Sequence, residues 1–278
     1  MKISVHEFSN DPNRALKSFK LDKNPVQKLS LNTPIDQKKI RIVCISDTHT
    51  NVSTSMIPRA DILIHAGDFL RIGSISEFNH FLDFLASLTH VQYKIIIAGN
   101  HDRFFDQKYY KKDFMKYVDQ ISKHCIYLQD RAIELFGLKI YGSPWQPVHC
   151  GNAFQLERGE QLLEKWNQIP DDTDILITHG PPLGFGDKIG VRHVGCVELL
   201  NTVVERVKPK LHVFGHIHED HGIWTNGETC FINASICNRE YRAVYDPILF
   251  DFDIPENKTK RDFIKQNLME NCLKDLKI

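Results

Sequence analysis

Short apolar runs, each followed by a polar loop, recur along the first hundred residues of the chain. The runs cover residues 40–45, 61–66 and 93–98 and are rich in isoleucine. Runs of this length between turn-forming residues are typical of strands buried on both faces. Between the second and third runs, apolar side chains recur at helical spacing after Ser76, which predicts a helix capped by that serine. These side chains are Phe78, Phe81, Leu82, Leu85 and Leu88.

The same alternation continues through the rest of the chain. The predicted elements are a mostly helical stretch over 111–129, two short strands around 136–137, helices over 158–166 and 197–207, strands over 174–178, 211–214 and 248–252, and a hairpin of residues 222–225 and 229–233. Strands that alternate with helices usually pair in parallel, so the pattern predicts an α/β fold. In an open parallel sheet the carboxyl ends of the strands share one edge, where ligands bind.

The chain divides into three parts by its local pattern. Residues 1–38 are polar and carry Asn-Asp-Pro and Asn-Thr-Pro turn signals, which predicts an irregular N-terminal arm. Residues 39–255 hold the predicted strands without a repeat or a linker, which favours one domain. Residues 256–278 are rich in Lys, Asp and Glu, with apolar residues at helical spacing, which predicts a charged surface helix.

The composition is that of a soluble globular protein. Hydrophobic residues make up 42% and charged residues 25%, and 35 basic residues balance 35 acidic ones. A net charge near zero argues against a nucleic-acid polymer as partner, but a local basic pocket for one phosphate stays open. The seven cysteines are scattered, and no stretch resembles a secretion signal or a membrane span. We therefore expect a cytoplasmic protein without a membrane partner; the sequence indicates no oligomeric state.

Residues able to bind a metal follow five of the predicted strands. They are Asp47 and His49, Asp68, Asn100 and His101, His179, and His216 and His218. Carboxylate, amide and imidazole groups are ligands that suit a divalent metal ion. Because parallel strands end along one edge, groups that are distant in sequence can converge there. The pattern predicts a metal site built by five strand ends.

These residues form an ordered series of motifs: Asp-x-His, Gly-Asp, Gly-Asn-His-Asp, His-Gly and Gly-His-x-His. In this order the series resembles the calcineurin-like metallophosphoesterases. Other stretches resemble the MPPED subfamily, small metallophosphodiesterases related to class III cyclic-nucleotide phosphodiesterases. Examples are Tyr141-Gly-Ser-Pro-Trp-Gln-Pro, Thr178-His-Gly-Pro-Pro-Leu-Gly-Phe and Phe231-Ile-Asn-Ala-Ser-Ile-Cys. The resemblance covers roughly residues 40–255 and implies a sandwich of two mixed β-sheets flanked by helices, with the site where both sheets end.

The resemblance also implies roles for the site residues. It implies two divalent ions bridged by Asp68, with Mn²⁺ as the first expectation and Fe, Zn or Mg as alternatives. The remaining ligands would be Asp47, His49 and His218 for one ion, and Asn100, His179 and His216 for the other. A hydroxide held between the ions would attack phosphorus in line. His101 would protonate the leaving oxygen, and Asp102 would orient that imidazole.

The substrate is less well defined by the sequence. Serine/threonine phosphatases of this superfamily carry Asp-Arg-Gly after Gly-Asp, whereas Asp68 here is followed by Phe-Leu-Arg, which disfavours a protein substrate. Candidate substrate contacts are Arg103, Arg192 and His193 for a phosphate or ribose and Trp145 for a base. We expect a phosphodiesterase of small, cyclic-nucleotide-like diesters. A phosphomonoesterase or nucleotide pyrophosphohydrolase on the same site, and a nucleotide-binding scaffold of low turnover, stay open as alternatives.

Overall fold

Two mixed β-sheets packed face to face form the centre of the structure, a computed structural model that describes residues 2–111, 113–254, 259–260 and 262–263. In chain order the strands are β1 (Asn24–Pro25), β2 (Lys39–Ile45), β3 (Ala60–His65), β4 (Val91–Ile96), β5 (Ile126–Tyr127), β6 (Arg131–Leu135), β7 (Leu138–Ser143), β8 (Gln146–Pro147), β9 (Gln155–Leu156), β10 (Ile175–Thr178), β11 (Lys188–Ile189), β12 (Arg192–His193), β13 (Leu211–Phe214), β14 (Gly222–Thr225), β15 (Cys230–Asn233) and β16 (Ile248–Asp253). The helices are α1 (Pro12–Leu16), α2 (Ile75–Ser87), α3 (Gln107–Tyr110), α4 (Phe114–Ile121), α5 (Glu160–Trp166) and α6 (Val197–Asn201).

The two sheets differ in size but share one plan, a parallel centre with antiparallel strands at the margin. The five-stranded sheet has the order β16-β2-β3-β4-β5, and only β16 within it is antiparallel to its neighbour. The seven-stranded sheet has the order β1-β14-β15-β13-β10-β7-β6, with β15, β13, β10 and β7 parallel. The predicted sandwich of two mixed sheets is confirmed.

Three apolar layers hold the sandwich together. Side chains alternate along a strand, so each central strand contributes to two layers. In β2, Ile42 and Cys44 face the layer between the sheets, whereas Val43 and Ile45 face the layer under α2. The far face of the seven-stranded sheet packs against α5 and α6. Burial on both faces explains why these strands are continuous apolar runs in the sequence.

Helix α2 covers the five-stranded sheet and begins two residues earlier than predicted. Its N-cap is Ser74, whose hydroxyl accepts a hydrogen bond from the Glu77 backbone N–H, while the Glu77 carboxylate reaches back to the Ser74 N–H. This reciprocal pair satisfies two backbone donors at the helix start. The prediction of Ser76 as cap is therefore wrong, because only Ser74 has Glu three residues later.

Two other predicted helices are interrupted. The stretch 111–129 contains α4 only, because Lys111 adopts a left-handed φ of 33° between α3 and α4, and the chain then enters β5. The stretch 197–207 begins as α6 and continues as a π-helical segment, Thr202–Val207. Arg206 of that segment donates to the carbonyl oxygens of Trp166 and Ile169, which joins it to the end of α5.

The N-terminal arm folds onto the seven-stranded sheet. Asp11 caps α1 by accepting a hydrogen bond from the Arg14 backbone N–H, and β1 extends the sheet edge by pairing with β14. Most of the predicted tail helix, residues 256–278, lies outside the described residues. Among the described helices, none combines the length and the apolar character that crossing a membrane requires.

Candidate metal centre

The predicted metal ligands lie where strands of both sheets end. Residues 47–49, 68 and 100 follow β2, β3 and β4 of the five-stranded sheet, and residues 179 and 216–218 follow β10 and β13 of the seven-stranded sheet. A β-bridge between Ser46 and Ser235 joins the two sheets beside Asp47. The strand pattern alone predicts one shared sheet edge, whereas the family resemblance implies a site where both sheets end; the structure has the latter arrangement.

The ligand atoms form two neighbouring groups. Oxygen and nitrogen atoms of Asp47, His49 and His218 lie within 4.8 Å of one another, and so do those of Asp68, His179 and His216. The Asp68 carboxylate also lies within 4.8 Å of His49 and His101 ring nitrogens. Asn100 joins the second group, because its Oδ1 lies 3.0 Å from His179 Nε2. All seven predicted ligands are therefore together, with Asp68 next to both groups.

Three histidines of the site, His49, His179 and His218, direct Nε2 toward its centre. The Nδ1 atoms of His49, His179 and His218 lie 2.9 Å from the backbone carbonyl oxygens of Leu70, Ala66 and Asn238. A carbonyl oxygen only accepts, so each Nδ1 carries a hydrogen and each neutral ring has its lone pair on Nε2. A backbone partner of this kind is how proteins orient a metal-binding imidazole.

These Nε2 atoms face other acceptors. His49 Nε2 lies 3.3 Å from His218 Nε2, which lies 3.4 Å from the Asp47 carboxylate. In the second group, His179 Nε2 lies 3.0 Å from Asn100 Oδ1 and 3.4 Å from the Asp68 carboxylate. Buried carboxylates surrounded by such groups need a compensating positive charge, which protonated imidazoles or a bound cation can supply. The donor set of carboxylate, amide and imidazole fits a divalent metal ion.

Proton affinities in the site follow from burial and from charge pairing. Burial opposes ionisation of Asp47 and Asp68, but the neighbouring imidazoles outweigh it and lower the pKa of both carboxyl groups. Burial also opposes protonation of His179 and His218, but the same carboxylates raise the pKa of both imidazoles to about 9. Burial lowers the pKa of His49 to about 4 and that of His216 to about 3. The site is therefore built for anionic carboxylates compensated by positive charge.

Four of the ligand residues have left-handed backbone conformations. The φ angles are 51° at Asp47, 42° at His49, 57° at Asp68 and 70° at His216. Such angles are uncommon for residues other than glycine and cluster at functional sites. Tertiary hydrogen bonds hold the turn at Asp47: its carboxylate accepts from the Ser235 hydroxyl at 2.7 Å and the His216 N–H at 2.9 Å.

Two glycines leave the space that the ligands occupy. A Cβ at Gly99 would lie 2.2 Å from Asp68 Oδ1, and a Cβ at Gly215 would lie 2.1 Å from Asp47 Oδ2. Contacts this short are impossible, so any side chain at either position would displace a carboxylate. This close approach is the reason for glycine in the Gly-Asn-His-Asp and Gly-His-x-His motifs.

We expect Gly99→Ala to weaken Mn²⁺ binding by about 10- to 100-fold, the effect typical of displacing a group that supports metal ligands. Titration calorimetry on metal-stripped protein measures this change. Gly227→Ala is the control, because its left-handed φ of 91° adds backbone strain while nothing lies within 4 Å of the new methyl group. Equal Mn²⁺ affinity in the two variants would contradict the role of Gly99.

The two residues predicted to be catalytic have different surroundings. His101 borders the cavity beside the ligands, and its Nδ1 lies 2.5 Å from the Arg71 carbonyl oxygen. The Asp102 carboxylate accepts hydrogen bonds from the backbone N–H groups of Asp68, Leu70 and Gly99. The prediction that Asp102 orients the His101 imidazole is corrected: the Arg71 carbonyl does so. Asp102 instead fixes the loop that carries Asp68.

A cavity of about 730 Å³ opens over the ligands. Its wall includes Arg192, whereas Arg103 is exposed, does not line the cavity and donates to Asn152, a lining residue, at 2.6 Å. The other two predicted substrate contacts, Trp145 and His193, are not among the described residues that line the cavity. Trp145 donates its indole N–H to Asp130 at 2.8 Å. The prediction that Trp145 stacks on a base is therefore not supported by its position.

Among the cavity residues that the sequence reasoning missed, Tyr241 has the closest ring contact with the predicted ligands. The Tyr241 ring packs edge-on against the rings of His49 and His218, with centroids 4.7 and 5.7 Å apart, and the Arg71 guanidinium lies 5.0 Å above it. Tyr241 lies in an irregular segment between β15 and β16, away from any predicted strand end. Its position after the Phe231–Cys237 stretch is the only sequence signal, and it does not distinguish Tyr241 from its neighbours.

Comparison with known proteins places this geometry in context. Residues 40–220 match the profile of a family described as calcineurin-like phosphoesterase. Human metallophosphoesterase domain-containing protein 1 is 45% identical over 92% of this chain and 86% of its own length. A UPF0046 protein of Caenorhabditis elegans is 46% identical over 85% of this chain and 89% of its own length. The resemblance seen in the sequence motifs is confirmed.

The fold also recurs in a solved structure of low sequence similarity. The protein TT1561 of Thermus thermophilus is 12% identical, with a TM-score of 0.50, and the match covers 78% of this chain and 100% of that one. At this identity the likeness concerns the fold alone.

Proposed function

Since the chain belongs to the calcineurin-like phosphoesterase family and is a metal-dependent phosphoester hydrolase, we propose that it hydrolyses small phosphodiesters of cyclic-nucleotide type. The observation that carries the proposal is the pair of adjacent ligand groups with the Asp68 carboxylate next to both. Such a pair is the arrangement that two-metal phosphoesterases require. We propose the domain division given above, with residues 39–255 as the catalytic domain.

In this proposal Asp68 would serve two divalent ions. Asp47, His49 and His218 would hold one ion, and Asn100, His179 and His216 would hold the other. Bound ions would supply Lewis acidity to the phosphoryl oxygens and a nucleophile near neutral pH. The neutral amide and imidazole ligands leave the centre with net positive charge, which favours an anionic substrate. We propose Mn²⁺ as the working metal, because oxygen and nitrogen ligands without a thiolate suit it.

His101 is the proposed general acid. The Arg71 carbonyl accepts from Nδ1, which fixes the ring and leaves Nε2 free to exchange a proton with a substrate oxygen. Its backbone N–H donates to Asp68 Oδ1 at 2.8 Å, so the acid and the proposed bridging ligand are held at a fixed separation. This geometry supports protonation of the leaving oxygen beside the metal centre.

The cavity supports a substrate larger than phosphate. Its volume of about 730 Å³ falls in the range of small-molecule sites. Arg192 and Tyr241 line it and offer a cation and an aromatic ring to a nucleotide-like group.

The six cysteines among the described residues are all unpaired, which supports the proposed cytoplasmic location.

Turnover of four substrates by Mn²⁺-reconstituted protein tests the proposal. The substrates are bis(para-nitrophenyl) phosphate, a cyclic mononucleotide, para-nitrophenyl phosphate and a nucleoside diphosphate sugar. We expect the two diesters to have the highest kcat/KM. A preference for the monoester or the pyrophosphate would replace the proposal by the corresponding alternative. Tight mononucleotide binding with background turnover of all four would favour the scaffold function.

We expect His101→Asn to lower kcat for a cyclic mononucleotide by about 10²- to 10⁴-fold, the range typical of general acid catalysis. The loss should be much smaller for bis(para-nitrophenyl) phosphate, because para-nitrophenolate leaves without protonation. His149→Asn is the control, since His149 also borders the cavity; it should affect both substrates alike. An equal loss on both substrates in His101→Asn would contradict the role of general acid.

A further inference from the structure

One wall of the cavity is formed by the loop of residues 184–195. Ile189, Arg192 and Val194 of this loop line the cavity, and strands β11 and β12 within it form a small hairpin. Arg192 and His193 are adjacent in β12, so their side chains point in opposite directions. Arg192 points to the cavity, whereas His193 Nδ1 lies 2.7 Å from the Asp187 carboxylate.

The C-terminal end of this loop, at Val194 and Gly195, is held by Asp187 and Arg158. The Asp187 carboxylate is buried and also accepts from the Gly195 N–H at 3.0 Å. The Arg158 guanidinium donates to the carbonyl oxygens of Val194 and Gly195 at 2.5 and 2.7 Å. These contacts hold the point where the loop returns to the domain, and pairing with β11 holds β12 from one side. The backbone N–H and carbonyl of His193 bind groups from elsewhere in the chain.

The N-terminal arm supplies those groups. Asn13 pairs with the backbone of His193 in both directions: its Oδ1 accepts from the His193 N–H at 2.9 Å, and its Nδ2 donates to the His193 carbonyl at 3.3 Å. At the other end of the loop, Lys23 donates to the Gly184 carbonyl at 2.7 Å and lies 4.5 Å above the Trp224 ring. The arm thus contacts the loop at its first residue and next to Arg192.

From these contacts we propose that Asn13 is a positioning residue for substrate binding, which acts by fixing the β12 backbone and thereby the direction of Arg192. The inference rests on the proposed function, because it concerns the same cavity. Asn13 lies before residue 40, where the match to the family profile begins, so this contact adds a residue from outside the matched range to the substrate site. It assigns a function to the arm.

Steady-state kinetics of Asn13→Ala on the diester test the inference, with Asn10→Ala as matched control. Both asparagines belong to the arm, but only Asn13 contacts the loop. We expect Asn13→Ala to raise KM about fivefold, the effect of losing a hydrogen bond, with kcat unchanged within about twofold. Asn13→Asp keeps the acceptor for the His193 N–H and should give an intermediate KM.

A double mutant distinguishes positioning from a general structural effect. If Asn13 acts through Arg192, Asn13→Ala should raise KM no further in an Arg192→Ala background. A full additional increase there, or equal kinetics of Asn13→Ala and Asn10→Ala, would overturn the inference.

Limited trypsin digestion provides a readout that is independent of activity. The hairpin contains two trypsin sites, after Lys188 and after Arg192. Losing the Asn13 contacts lowers the cost of opening the hairpin locally, so cleavage should be faster in Asn13→Ala than in Asn10→Ala. Equal cleavage rates would overturn the inference. A wild-type protein without diester turnover would instead overturn the proposed function, and the digestion would still decide the anchoring of the loop.

Discussion

Asp68→Asn is expected to reduce diester hydrolysis by at least about 10³-fold, the upper range for losing one preorganised electrostatic contact at an active site. The substitution keeps the size and one oxygen of the side chain but removes its charge. The carboxylate is 2% exposed and lies beside both ligand groups. Its loss therefore affects both proposed metal positions, as well as the oxygen that accepts the His101 N–H.

His49→Asn is the comparison, because His49 belongs to the group formed with Asp47 and His218. We expect a smaller loss of activity and a metal content reduced to no less than one ion per chain. Steady-state rates and elemental analysis on the two purified variants measure the difference. Equal activity together with equal metal content would show that Asp68 has no special position between the groups.

The second large effect is expected on removal of metal. Protein treated with a chelator and then dialysed should lose diester hydrolysis to background, and added Mn²⁺ should restore it. Metal should also stabilise the fold, by about 2.7 kcal/mol in free energy of unfolding at a free Mn²⁺ concentration 100 times Kd. The physical reason is the pair of buried carboxylates, Asp47 and Asp68, whose negative charge a bound cation would compensate.

Thermal unfolding with and without Mn²⁺ measures the stability part of this prediction. The Mn²⁺-dependent rise in Tm should be present in the wild type and much smaller in Asp68→Asn. Full activity in protein shown by elemental analysis to be free of divalent metal would contradict the assignment of the seven ligands.

The proposed metal ligands are the part of the site whose position the sequence predicts best. Each ligand follows an apolar run, and the run itself predicts a buried strand whose end is a fixed point in the sheet. His179 is an example: one histidine after a four-residue strand has no meaning alone, but the strand end determines where it lies. A local sequence pattern is sufficient here, because parallel strands end along a common edge and so bring residues that are distant in sequence close together.

Other features depend on contacts that leave no local pattern. The meeting of two sheet edges is made by the bridge between Ser46 and Ser235, which lie far apart in a chain where neither serine is distinctive. Asp102 follows His101 directly, yet its carboxylate binds backbone N–H groups of the Asp68 loop. Asn13 reaches His193 across 180 residues. Such pairs arise from packing of the whole chain, so residue type and spacing do not predict them.

The distribution of ligands over both sheets has a consequence for unfolding. His49 and His218 are 169 residues apart in sequence, one from each half of the sandwich. Chelation by both would join the halves as a cross-link does, and closing a segment of that length restricts the unfolded chain strongly. With metal bound, separation of the two sheets requires loss of the ion. Backbone amides deep between the sheets should then exchange with solvent at a rate controlled by metal concentration.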